Sequence, residues 1–271
     1  MEITPSLFLK LFLFAQSMYA ITLMPLIPGV DGCEMYWGSE CTDTVEKWIL
    51  NWFGLGIILF VVPFFTVILQ GEPSDELLRR CSVYVIYCLF TQLAGLLFSG
   101  HQDMNPKGLL VPGQLYFAIF VNFVLLQLGG MVIGNGKLKA ATNIWAPEDP
   151  PSQALLLQII ALNFWVYDAG FISGVSKYLK DPHEISERTN IASKWFILTL
   201  IANLCFSIFV ASYETTAKKK KFCAVMIAMH VLVQVFETYL NQPELVPDEM
   251  KIQNMSLRVV LIGGAAYGFM A

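Results

Sequence analysis

The chain has 271 residues, 56% of them hydrophobic and only 14% charged. Soluble domains carry roughly 25% charged residues, so this composition, with a mean hydropathy of +0.58, excludes an ordinary soluble domain and points to a chain lying largely in lipid. A formal net charge of −4 and a pI near 5.4 exclude the basic footprint of a nucleic-acid-binding protein.

A helix of about 20 residues crosses a ~30 Å hydrocarbon core, and eight apolar stretches approach that length. The first, Ser6–Pro28, reads as a signal anchor: Lys10 interrupts its start and no small-residue cleavage site follows. The leader contains Glu2 and no Arg, unlike a transit peptide. An acidic loop then holds Cys33 and Cys41, whose seven-residue spacing suits a small disulfide in an oxidising compartment. The second stretch, Trp48–Leu69, has no charge, and Pro63 inside it predicts a kink. The third and fourth are Cys81–Ser99 and Gly113–Ile133.

Trp145–Pro151 (WAPEDPP) contains paired prolines that stop a helix. It divides the chain into a first four-helix unit (1–144), a Pro-rich link (145–152) and a second four-helix unit (153–271). The fifth stretch, Gln153–Val175, carries Asp168 about two-thirds along its length. The sixth and seventh are Trp195–Tyr213 and Phe222–Leu240. The eighth, Ser256–Ala271, is short, has Arg258 at its edge and holds the last residue of the chain. Asn254 begins an N-x-S sequon just before it.

The fold class is therefore all-α: a polytopic membrane bundle of about eight helices. Its second half resembles its first. Cys81 and Gln92 match Cys223 and Gln234 at an offset of 142, which Leu115 and Leu257 share. Lys47-Trp48 and Lys194-Trp195 match at an offset of 147. Four spans per copy give both copies one orientation, a parallel repeat about an axis along the membrane normal. Lys and Arg divide almost evenly between the two sides, but the Lys218–Lys221 run and the Cys33/Cys41 loop agree on cytosolic termini.

Ionisable groups at membrane depth are costly, so each needs a reason. In the seventh span Cys223, Ile227, His230, Gln234 and Glu237 step by 4, 3, 4 and 3 and form one stripe. That stripe should face the bundle interior or a cavity. Asp168 lies in the same half of the membrane as Glu237, which predicts a cavity shared by the two. Asp168, His230, Gln234 and Glu237 are the candidate substrate- or ion-binding residues. The competing reading makes His230 and Glu237 rungs of an interhelical hydrogen-bond ladder and Asp168 a carboxylate paired to a buried hydroxyl. Gln16, Asn122, Gln127, Asn163 and Asn203 read as interhelical glue. The glycine pairs 54/56, 129/130 and 263/264 read as points of close helix approach. Trp48, Trp52, Trp145 and Trp195 read as interfacial belts. The loops His101–Asp103 and Asp181–Glu184 lack metal-ligand spacing, so no metal site is expected.

The sequence contains no H-E-x-x-H, G-x-S-x-G, P-loop or di-iron histidine set, and it names no cofactor or catalytic residue. The first functional expectation is a small carrier, channel-like or lipid-binding protein with a polar intramembrane cavity in its second half. Its partners are membrane lipids and a small-molecule ligand or a membrane-protein partner. The alternatives are a non-catalytic accessory subunit of a larger membrane complex, and a membrane-embedded isomerase or cyclase using the intramembrane acid and base groups. The balance is against an enzyme.

Overall fold

The computed structural model describes residues 3–24, 31–71, 73, 75–99, 112–133, 149–169, 174–180 and 185–271. Among these residues all regular structure is helical and no strand occurs. A helix satisfies its own backbone polar groups, as lipid demands. The α-helices are α1 (Pro5–Leu23), α2 (Gly32–Trp37), α3 (Thr44–Phe64), α4 (Asp75–Ser99), α5 (Pro112–Ile133), α6 (Pro150–Tyr167), α7 (Glu187–Tyr213), α8 (Thr216–Val235) and α9 (Asp248–Met270). Among the described residues, four helical segments are long and apolar enough to cross a membrane: Pro5–Leu23, Thr44–Leu69, Glu187–Ala211 and Thr216–Leu240. Their length and composition fit an integral membrane protein. Helix α4 begins at Asp75, ahead of Cys81, and α9 at Asp248, well ahead of Ser256, while α6 passes into π-helical residues at Asp168 and Ala169.

Contacts divide the chain into two compact units, Met1–Thr42 with Ile68–Ala140 and Asp43–Val67 with Ala141–Ala271. Helix α3, which lies within residues 1–144, thus packs in the second unit.

In the first unit α1 packs on α4 and α5, and these two on each other. Thr4 caps α1, its hydroxyl accepting from the Leu7 N–H at 3.2 Å. Gly129 admits Ile86 and Phe8 from neighbouring helices: a Cβ there would lie 2.7 Å from Ile86 Cδ1 and 2.9 Å from Phe8 Cζ. Gly130 has nothing within 4 Å, so only one glycine of this pair serves close approach. Asn122 is not interhelical glue; its amide donates to the Ala118 carbonyl of its own helix at 2.8 Å. Asp31 caps the short α2, and Gly38, at φ 70°, ends it in the left-handed conformation that glycine tolerates. Cys33 and Cys41 stand at disulfide distance, with a Cα separation of 5.1 Å.

In the second unit α3 and α7 run parallel. Their contacts advance together, from Ser186 on Glu46 (2.9 Å) through Phe196 on Trp52 (5.8 Å between rings) to Phe206 on Phe64 (5.0 Å). Asn203 joins them as expected, donating to the Gly56 carbonyl at 3.1 Å, and Thr199 fills the place a Gly56 Cβ would take. Helices α6 and α8 are parallel to each other, with Lys219 beside Asp149 at their starts and His230 beside Gln158 further along. Helix α9 returns between them: Gly268 lies against Ala154 and Cys223, and Arg258 lies against Trp165 and Glu237. Asn241, just past α8, bonds Asn51 and the Trp48 carbonyl at the start of α3, so α8 opposes α3. After Pro63 the chain continues in a π-helical turn, Phe65–Leu69, where the Thr66 hydroxyl donates to the Val62 carbonyl at 2.8 Å.

Candidate functional site

The α8 stripe faces inward. Cys223, His230 and Glu237 are buried, and Ile227 and Gln234 are partly so. Cys223 meets the small residues Ala154 and Ala265. One rung further, His230 Nε2 donates to Gln158 Oε1 at 2.9 Å. His230 Nδ1 and Gln158 Nε2 have no partner. Gln234 donates to Thr238 on its own helix at 2.9 Å.

Glu237 is the second residue of a second π-helical turn, Phe236–Leu240. Such turns are frequent at functional sites because they re-aim a side chain without ending the helix. Asn254 donates to Glu237 Oε1 at 2.6 Å and Arg258 Nη2 to Oε2 at 3.2 Å. The sequon asparagine is therefore tied to Glu237. Arg258 is only 2% exposed and lies over the Trp165 ring at 5.4 Å.

Asp168 sits just beyond α6. Gly174 takes φ 64°, and the 3-10 turn Val175–Tyr178 carries Lys177 and Tyr178 back to it. Lys177 forms an ion pair with Asp168, and the Tyr178 hydroxyl donates to the same carboxylate oxygen at 2.6 Å. Burial, with the hydrogen bond to Asp168 and its charge adding to it, pushes the Tyr178 hydroxyl above the ordinary tyrosine value.

A cavity of about 50 Å³ opens at this end of the second unit. Trp48, Trp52, Trp165, Phe196 and Tyr178 supply aromatic walls, while Glu237, Asn254 and Arg258 supply the polar wall. Of the four candidate residues, Glu237 lines it directly. Asp168 reaches it through Tyr178 and through its neighbour Ala169, which also lines it. His230 and Gln234 are not among the lining residues. The belt reading of Trp48 and Trp52 is corrected: both are buried in the cavity wall, at 5% and 8% exposure. Trp195 is half-buried against Phe53, and Trp145 lies outside the described residues.

Sequence reasoning missed the roles of Arg258, Tyr178 and Trp165. One signal for Arg258 was available, because a buried carboxylate at Glu237 demands a nearby cation.

Asp31, Cys33 and Cys41 place potential ligand atoms within 4.8 Å of one another. The two sulfurs are joined, so this trio offers no thiolate to a metal. The His101–Asp103 and Asp181–Glu184 loops lie outside the described residues. No known protein family, curated protein or solved structure matches the chain, and the functional reading rests on the chemistry of the cavity.

Proposed function

We propose that the chain is a multi-pass membrane protein that holds a small amphiphilic molecule in the Trp48/Trp165/Glu237 cavity, as a carrier or lipid-binding protein. One observation carries this reading: an aromatic concavity has a buried Glu237–Arg258 pair in its wall. Small-molecule sites are mostly apolar with a few placed polar groups. The finer architecture we propose is eight crossings in two four-helix copies. It is supported by the alternating directions of α6 to α9, by the parallel α3 and α7 and by the residue matches at offsets 142 and 147. Cytosolic termini are supported by the Lys218–Lys221 run at the start of α8 and by the Cys33–Cys41 pair one crossing from the N-terminus.

The isomerase reading loses support, since Asp168 and Glu237 are both engaged by cations and His230 is held by Gln158. The accessory-subunit reading draws on Phe117, Phe120 and Phe123 of α5, all more than half exposed, a face that suits lipid or another membrane helix.

The test is native mass spectrometry of the full chain extracted in mild detergent. A bound small molecule is expected, and Ala169→Phe, which fills the cavity, should remove it. A wild-type spectrum with no adduct, or an adduct indifferent to Ala169→Phe, argues against the cavity as the binding site.

A further inference from the structure

Resting on the reading that the cavity holds a ligand, we propose that this ligand is an uncharged amphiphile with a flat apolar body and an oxygen acceptor that docks on Arg258. Arg258 lines the cavity and is 98% withdrawn from solvent, with its residue exposure at 2%. Its Nη2 is hydrogen-bonded to Glu237 at 3.2 Å, while its Nε has no partner. A buried donor left unmade costs about 1–3 kcal/mol, more on a charged group, so the site gains from a molecule that supplies an acceptor there.

Glu237 has no such need. Asn254 occupies one of its oxygens and Arg258 the other. The unsaturated side of this wall is the donor side, which selects an acceptor head over an ammonium.

Charge selects further. Glu237 and Arg258 cancel, and the other lining residues, aromatic, aliphatic or amide, carry none. A carboxylate head would add an uncompensated charge to a largely apolar site, whereas a ketone or hydroxyl oxygen takes the Arg258 hydrogen bond and leaves the site neutral. The body is selected by the flat faces of Trp48, Trp52, Trp165 and Phe196, which favour ring systems stacked or edge-on.

The test uses three probes of matched shape, benzophenone, diphenylmethane and diphenylacetate, titrated against the full chain in lipid nanodiscs with tryptophan fluorescence as readout. Benzophenone should bind saturably and at least about tenfold more tightly than either of the others, the value of one hydrogen bond to a charged donor. Arg258→Gln alone strands Glu237 and risks misfolding, so the discriminating variant is the electroneutral double change Glu237→Gln with Arg258→Met, which leaves no donor at 258. It should bring benzophenone down to the affinity of diphenylmethane. Equal binding of all three probes, tightest binding of diphenylacetate, or a double variant that keeps the ketone preference overturns the assignment of the head group. In those cases saturable binding that Ala169→Phe abolishes leaves the cavity reading standing. Absence of saturable binding by any probe, or binding that Ala169→Phe does not touch, overturns the cavity reading itself and this assignment with it.

Discussion

Removing Arg258 should be among the most damaging single changes in the chain, and removing its partner as well should be far milder. Arg258 is 2% exposed and Glu237 7%, with 3.2 Å between Nη2 and Oε2. Deleting one member of such a pair leaves an uncompensated buried charge, a loss of about 3–5 kcal/mol. Arg258→Gln also removes the cation over Trp165 at 5.4 Å, an interaction worth about 0.5–2 kcal/mol, so it should fall below Glu237→Gln by roughly that amount. In the double variant no charge is stranded, and its loss should undershoot the sum of the single losses by at least about 2 kcal/mol. The assay is reversible unfolding of the full chain in mixed micelles, followed by circular dichroism, with all four proteins completing one thermodynamic cycle. Single variants that each stay within about 0.5 kcal/mol of wild type and add without coupling would refute the reasoning, because a solvated surface pair behaves that way.

Three further outcomes follow from particular contacts. Cys33→Ser should cost about 2.5 kcal/mol in the first unit, the loop-closure value for a separation of 8 residues, and alkylation of the native chain should modify Cys33 and Cys41 only after reduction, as read by mass. Gly263 has nothing within 4 Å of a built Cβ, whereas one at Gly268 would lie 2.7 Å from Ala154 Cβ and 3.2 Å from the Pro151 backbone. Gly263→Ala should therefore be neutral or stabilising by up to about 1 kcal/mol, and Gly268→Ala destabilising by about 1–3 kcal/mol, in the same unfolding assay. Burial works against the charged form of Asp149, but the Ser152 hydroxyl and N–H and the Lys219 ammonium outweigh it and hold the carboxyl below its usual value. A lowered carboxyl contributes stability that is present above its unfolded value and disappears as the pH falls through the folded one, so the loss belongs below about pH 4. Asp149→Asn keeps the helix cap and should flatten the stability profile in that window; an unchanged acid limb in the variant would exclude Asp149 as its source.

The inward face of α8 was legible because a 4-3-4-3 step on a helix can mean only one stripe, and Cys223, His230 and Glu237 are buried as that requires. The partners of the charges were not legible. Asp168 is met by Lys177 and Tyr178 from the 3-10 turn that follows Gly174, and periodicity does not report such a return. Arg258 reaches Glu237 from another helix, across 21 residues. Trp48 and Trp52 carry the composition of an interfacial belt, and whether an indole faces headgroups or a cavity depends on helix rotation, which the packing of α3 on α7 sets. The place of α3 in the second unit depends likewise on contacts far apart in the chain, Asn203 to Gly56 and Asn241 to Trp48. The glycine pairs were half legible: spacing marks a small-residue face, but only the member turned toward a neighbour is filled, as with Gly129 against the open Gly130.

Why the cavity lies at one end of the second unit follows from side-chain size along three helices. Where α6 and α8 begin and α9 ends, the facing residues are Ala154, Cys223 and Gly268, so small that Gly268 has no room for a methyl group. Midway, the facing pair is His230 and Gln158, larger and polar, and each keeps an unmade hydrogen bond. At the far end the facing residues are Trp165, Glu237 and Arg258, too large and too charged to close on one another like the small set. Interiors pack to near-crystalline density, so the small residues let the helices touch at one end, and indole and guanidinium stand where the cavity opens at the other. The same three helices thereby make a closed end and an open one. The charges that lipid would penalise are gathered at the open end, where they hold each other and leave one Arg258 donor for whatever enters.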